Sequence, residues 1–199
     1  MNEVIESIED ALDKECWIPA LALALTLPDT CGSIEYPEMV DNKGRRLSNR
    51  QYLAWFKEHV EHRFADHTGF DDKGNALRPY FNADMCYQLR CAILHSSNDD
   101  IDFEYGDCKK EFEYHYDFEL RVNACDSYGK IWASGANANE RARLIHVCID
   151  VKNLCEALCE EALTYLHAVK KEQLANHRVR IVDVAKYCQL IDDTRRDSR

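Results

Sequence analysis

Apolar side chains recur at helical spacing from the start of the chain, where Ile5, Ile8, Leu12 and Trp17 predict a first short amphipathic helix. The run that follows, Trp17 to Leu27, is apolar on every side, the pattern of a helix buried centrally in a bundle. Its eleven residues, with Pro19 and Thr26 inside, fall short of the ~20 needed to cross a bilayer. Pro28 with Asp29 kinks or ends it. Ser48 offers an N-cap for a helix through Tyr52, Trp55, Phe56 and Val60. After a Gly/Asp loop around Gly69 to Gly74, Asn82 or Asp84 can cap another helix running through Tyr87 and Leu94.

The period then changes. Phe112, Tyr114, Tyr116, Phe118, Leu120 and Val122 alternate with polar residues, which predicts a half-buried strand, paired with Ile101 to Tyr105 in a small antiparallel hairpin. Leu144, Cys148, Val151, Cys155, Leu158, Ala162, Tyr165 and Val169 return to steps of four and three, so the longest helix is expected here, capped by Asn137 or Asn139. Ile145, Val147, Leu154 and Leu166 widen that stripe beyond a coiled-coil seam and favour a bundle core. Residues 176–190 fit strand or helix equally. The fold class expected is mainly α, a helical bundle of one domain over residues 1–199, with a small antiparallel β-hairpin insertion at about 99–133.

Length and composition agree with one domain: 199 residues, 46% hydrophobic and 31% charged, with seven Gly and four Pro. The net charge of -11 argues against a protein that coats DNA with its whole surface. Much of the acidity sits in the insertion, where Asp99 to Glu119 holds nine acidic residues against two lysines. In the loop from Asp41 to Arg50, by contrast, Lys43, Arg45, Arg46 and Arg50 follow one another with no acidic residue between them. The opening MNEVIESIEDALDKEC is acidic where an export signal would be basic and then apolar, so a cytoplasmic protein without a membrane anchor is expected. In that compartment the ten cysteines stay thiols.

Cys-x-x-Cys is absent, and the nearest pairs are Cys86/Cys91, Cys155/Cys159 and His146/Cys148, so no metal ligands and no cofactor are expected. Cys148, Cys155 and Cys159 fit better as small hydrophobes in a helical core. His59, His62 and His67 with Glu58, Glu61 and Asp66 match neither H-E-x-x-H nor H-x-x-E-H and read as a solvated face. Tyr114, Tyr116 and Phe118 could stack on bases, but acidic neighbours would repel a phosphate backbone, so core packing is favoured. Phosphate loops, G-x-S-x-G and kinase signatures do not occur.

One constellation remains. In Asp84-Met-Cys-Tyr-Gln-Leu-Arg90-Cys-Ala-Ile-Leu-His95, an Arg and a His stand five apart near the end of an apolar helix. Arg141 and His146 repeat the spacing in a polar Asn/Ala setting and rank second. Two occurrences are what chance alone gives, about 1.7, so the packed context rather than the spacing selects the first pair. Cleavage of an RNA phosphodiester by its own 2'-hydroxyl needs proton transfer and charge stabilisation at the phosphate. Imidazole and guanidinium supply both. On a regular helix, positions five apart diverge by about 140°, so one copy of the pair converges poorly and two copies across a twofold axis converge better. Tyr87 and Cys91, one and two turns back from His95, would line such a pocket, with Asn98 just beyond. A helix C-terminus beside His95 would favour its protonated form. A satisfied structural His and a core-edge ion pair for Arg90 are the competing reading of the same residues.

The segment from Arg90 to His95 resembles the HEPN family, whose ribonuclease members carry Arg, four to six residues, then His. Most of those members place Asn or Asp after the Arg, where this chain has Cys91. The stretches Ala22 to Gly32, Tyr52 to Phe56, Tyr87 to His95 and the long Cys-bearing helix are also similar to a family of uncharacterised bacterial and phage-associated proteins. The HEPN resemblance implies a homodimeric, metal-independent endoribonuclease acting in defence or as a toxin, with Arg90 clamping phosphate, His95 handling protons and RNA as the partner. The alternative it leaves open is a catalytically silent module that holds a nucleotide, a signalling molecule or a protein.

Overall fold

A computed structural model describes residues 2–65, 79–96, 113–132, 142–174 and 183–184. The protein is mainly helical, with a small three-stranded mixed sheet. Helix α1 spans Asn2–Asp13, α2 Trp17–Ala24, α3 Leu27–Glu35 and α4 Ser48–His59, followed by a 3-10 turn at Glu61–Phe64. Helix α5, Ala83–Cys91, continues without a break into a π-helical turn, Ala92–Ser96. Strands β1 (Glu113–Arg121), β2 (Ser127–Trp132) and β3 (Ala142–Asp150) precede α6, Val151–Ala168, and a last short helix α7, Lys171–Leu174.

The core forms where the sequence pattern places it. Ile5, Ile8 and Leu12 bury one stripe of α1, and Tyr52, Trp55, Phe56, Phe81 and Leu89 are fully buried. Helix α4 packs between α3 and α5, while α6 packs across α1, α2 and α3. Cys155 and Cys159 are buried in the α6 face, filling space as small apolar groups. Asn82 caps α5, its side chain accepting from the Met85 N–H at 3.0 Å. Arg63 ties the 3-10 turn to α6 through Glu160 at 2.6 Å and Glu161 at 3.1 Å.

Several expectations are corrected. Trp17 opens α2 instead of closing α1, because Glu15 takes a left-handed φ of 56° and turns the chain between them. The Ala/Leu run is not buried on every side: Ala20, Leu21 and Ala24 face the core, but Ile18 is 62% exposed. It ends at Ala24, and Pro28 sits in the first turn of the next helix, where its missing N–H costs nothing. Leu47, not Ser48, is the N-cap of α4, and no side chain caps that end.

The largest correction concerns residues 142–150. They form a strand, not the first turns of the long helix, so Leu144 and Cys148 do not belong to the helical seam. Asp150 caps α6 at its true start, accepting from the Asn153 N–H at 3.0 Å and, on its other oxygen, from the Ala124 N–H at 3.0 Å. The strand predicted around Phe112 to Val122 exists as β1, but the described strand beside it is β3, in parallel, with Glu113 opposite Ala142 and Glu119 opposite Cys148. Strand β2 pairs antiparallel with β3 on its other side, giving the order β1-β3-β2. Ile101 to Tyr105, Asn137 and Asn139 lie outside the described residues. Phe118 does pack inward, stacking on Phe81 with ring centres 6.0 Å apart. The side chains of Tyr114 and Tyr116 are outside the description.

Helices α3 and α4 approach so closely at Gly32 that a Cβ there would lie 2.4 Å from the Gln51 carbonyl oxygen. Backbone cannot yield as a side-chain tip does. Gly32→Ala is therefore expected to destabilise the fold by about 3 kcal/mol, read as a lower urea midpoint with an unchanged slope. An unaltered midpoint would show that the two helices are not in contact there.

Candidate functional site

Arg90 closes the last regular turn of α5, and His95 follows on the π-helical turn. That turn changes the geometry. A π-helix closes hydrogen bonds from i to i+5, so residues five apart stack on one face instead of diverging. The expected 140° divergence is overturned: Arg90 Nη1 lies 3.0 Å from His95 Nε2 within a single chain. Convergence of the pair does not require a second copy.

The remaining guanidinium edges of Arg90 turn to α3. Its Nε donates to Asp29 Oδ2 at 3.0 Å, and its Nη2 stands 3.0 Å from the same oxygen. Both side chains are about four-fifths buried, with 21% and 23% exposure. Burial weighs against the Arg90 charge, but the Asp29 carboxylate and hydrogen bonds to Asp29 and Cys91 outweigh it and hold the guanidinium above its ordinary pKa. A guanidinium can only donate, so the 3.0 Å contact requires a lone pair on His95 Nε2.

Tyr87 and Cys91 lie beside this pair and hydrogen-bond each other; burial first, then Cys91, pushes the Tyr87 phenol above its ordinary pKa. Tyr52 braces Tyr87 edge-to-face at 5.2 Å, and its own hydroxyl contacts the buried Cys86 thiol at 3.2 Å. Of these residues Arg90 alone lines the adjoining groove; His95, Tyr87 and Cys91 are not among its lining residues. That open groove, about 480 Å³, is lined by Asp29, Thr30, Ser33, Arg46, Ser48 and Arg90. It lies at the first turn of α4, which has neither a side-chain cap nor an acidic residue. The Arg50 N–H there donates to Asn49 Oδ1 at 2.9 Å, and the N–H groups before it, with the positive dipole end, favour an anion.

Arg46 is the member that sequence reading passed over within a basic loop. Arg45 is neutralised by Asp41 at 2.7 Å across a tight turn in which Gly44 has a φ of 73°. Arg46 is instead oriented by the buried Gln51, whose Oε1 accepts from Arg46 Nε at 3.0 Å while its Nε2 donates to the Tyr36 carbonyl at 2.6 Å. Asp29 was equally unmarked, 61 positions from Arg90.

The second-choice pair does not form on a helix. His146 is on β3, and Arg141 and Asn98 lie outside the described residues. His146 instead meets Cys148 and Glu119 across the β1–β3 pairing. The expected solvated His face is corrected in part. His59 is half-buried, 2.8 Å from Glu35 and stacked on Trp55 at 5.1 Å, whereas His62 is exposed; His67 and Asp66 are not described. The eight described cysteines are free thiols.

Comparison with family models, curated proteins and solved structures finds no significant match.

The ion pair between Asp29 and Arg90 joins α3 to α5. A double-mutant cycle of Asp29→Ala and Arg90→Ala in urea denaturation is expected to return a coupling energy of about 1–2 kcal/mol. Strict additivity of the two substitutions would remove the pair from the site.

Proposed function

We propose that the protein is a cytoplasmic endoribonuclease of HEPN type, acting in defence or as a toxin through Arg90 and His95. The observation that carries the reading is the 3.0 Å contact between Arg90 Nη1 and His95 Nε2 beside a groove supplied with a second arginine. His95 takes the proton from a ribose 2'-hydroxyl once its Nε2 turns from Arg90 to the substrate, leaving Arg90 Nη1 for the phosphate. The 2'-oxygen attacks phosphorus, the bond to the 5'-oxygen breaks, and a 2',3'-cyclic phosphate and a free 5'-hydroxyl result. Arg90 and Arg46 supply the positive charge that the phosphorane needs.

In-line displacement puts the entering and leaving oxygens on opposite sides of phosphorus, so one imidazole does not reach both. This supports a homodimer in which a protonated His95 of a second copy gives its proton to the leaving 5'-oxygen, so that one imidazole gains the proton the other loses. The reaction itself calls for no metal.

A second reading is favoured by one specific feature. Two N–H groups of Arg90 already engage Asp29, and Cys91 stands where most HEPN nucleases have Asn or Asp. A guanidinium so neutralised suits a silent module holding a nucleotide or signalling molecule. Such a ligand would raise the melting temperature with the logarithm of its concentration above Kd, without being turned over.

Purified protein is expected to cleave single-stranded RNA to cyclic-phosphate ends and to leave a 2'-deoxy substrate intact. His95 is exposed, so His95→Ala should keep the native melting temperature and lose about 10²-fold or more in rate. Equal cleavage by parent and variant, or cleavage of the deoxy substrate, would refute the nuclease reading.

A further inference from the structure

Away from Arg90, the sheet brings together three side chains that sequence spacing could not connect. Glu119 on β1 is the register partner of Cys148 on β3, and His146 precedes Cys148 by two residues, on the same face of that strand. Cys148 Sγ lies 2.7 Å from His146 Nε2 and 3.6 Å from Glu119 Oε2. One ligand atom from each of the three falls within 4.8 Å of the others. We propose that Glu119, His146 and Cys148 form a zinc site on this sheet, with water in the fourth position.

The donor set decides the metal. A thiolate and an imidazole select zinc among the common divalent ions, whereas magnesium and calcium take oxygen alone. Three protein ligands plus one solvent position is a regular zinc arrangement. Zinc sits ~2.3 Å from sulfur and ~2.0 Å from nitrogen, which spaces those atoms by about 3.5 Å in a tetrahedron, so the Cys148–His146 contact opens by about 1 Å. Thiolate and carboxylate together balance the ion's two charges. Arg121 Nη2 donates to Glu119 Oε2 at 2.7 Å, the kind of outer contact that orients a ligating carboxylate. Foremost through Arg121, that carboxyl is held below its ordinary pKa.

Burial fits as well. Cys148 is fully buried while the Glu119 side chain is 49% exposed, so the ion would be anchored from beneath and approached from solvent. The other His/carboxylate group, Glu35, Glu58 and His59, offers no sulfur, and its members are engaged in packing: His59 with Glu35 and Trp55, Glu58 with the Tyr36 hydroxyl at 2.6 Å. A metal across β1 and β3 would clip the acidic strand to the one that runs directly into α6. Spacing alone suggested no metal because it compares neighbours in sequence, and here two ligands neighbour each other while the third arrives by strand pairing.

The test is cobalt titration of the full purified chain. One equivalent is expected to give the visible absorption of a tetrahedral site with a thiolate charge-transfer band, and one equivalent of zinc should abolish both. Cys148→Ser should remove the band, while Cys125→Ser, an exposed thiol outside the cluster, should retain it. Glu119→Gln changes a surface position and should weaken zinc at least tenfold, which keeps the test decisive if Cys148→Ser fails to fold. Absence of a thiolate band in the parent, or zinc affinity unchanged in Glu119→Gln, overturns the site. Neither readout involves RNA, so this proposal and the nuclease reading stand or fall separately.

Discussion

The charge on Arg90 is the constraint around which the contact of α3 with α5 is arranged. Four-fifths of its side chain is removed from water, and a guanidinium cannot escape that cost by losing its proton. Its buried edges must be met by partners, and its exposed part by solvent. Asp29 meets two nitrogens from α3, and His95 meets a third because the chain after Cys91 winds as a π-turn. A regular α-helix would carry His95 away and leave Nη1 to solvent. The π-turn thus brings the ring and the guanidinium together within one chain.

What holds Asp29 and Arg90 in reach is apolar packing on α4. That helix presents Tyr52, Trp55 and Phe56, all fully buried, to the helices on either side. Gly32 lets α3 settle against the Gln51 backbone, and the Gln51 side chain, equally buried, joins the Tyr36 carbonyl to Arg46. One residue of α4 therefore fixes both the helix spacing and a groove arginine. Removing its side chain would take one of two donors from the Tyr36 carbonyl, which also accepts from the Met39 N–H at 3.1 Å, and leave Arg46 without this support, a coupling of fold to site that lies entirely outside the Arg/His motif.

The sequence was most legible where one period persists within one element. Ile5, Ile8 and Leu12, the α4 aromatics and the stripe from Val151 to Leu166 all face the core as their spacing predicts. The alternation around Phe118 likewise announces β1. Legibility failed at 142–150, because Leu144, Ile145, Val147, Cys148 and Ile149 form a short apolar run that satisfies helical steps and a buried strand alike. The arbitrating signal was present in Asp150, an N-capping residue immediately before the true helix. Asp29 and Glu119 could not have been found by spacing, since their roles depend on which elements lie side by side. The π-turn left no mark either: nothing in Ala92-Ile-Leu-His95 distinguishes an i+5 ring from an i+4 ring.

The groove's capacity for anions has to be judged against a chain of net charge -11. Of its two arginines, Arg90 is largely neutralised by Asp29, and the neighbouring Arg45 is cancelled by Asp41. Long-range attraction of a polyanion is therefore weak, and at physiological salt any field fades within ~8 Å. What remains is short-range and directional: Arg46 held at a set angle by Gln51, the uncapped first turn of α4, and the hydroxyl-bearing Thr30, Ser33 and Ser48 along the wall. Such a surface discriminates by hydrogen-bond geometry, not by charge density. It would hold one or two phosphates in a defined pose while the acidic remainder of the molecule rejects extended duplexes, which fits a single-stranded or nucleotide-sized ligand better than a coated nucleic acid.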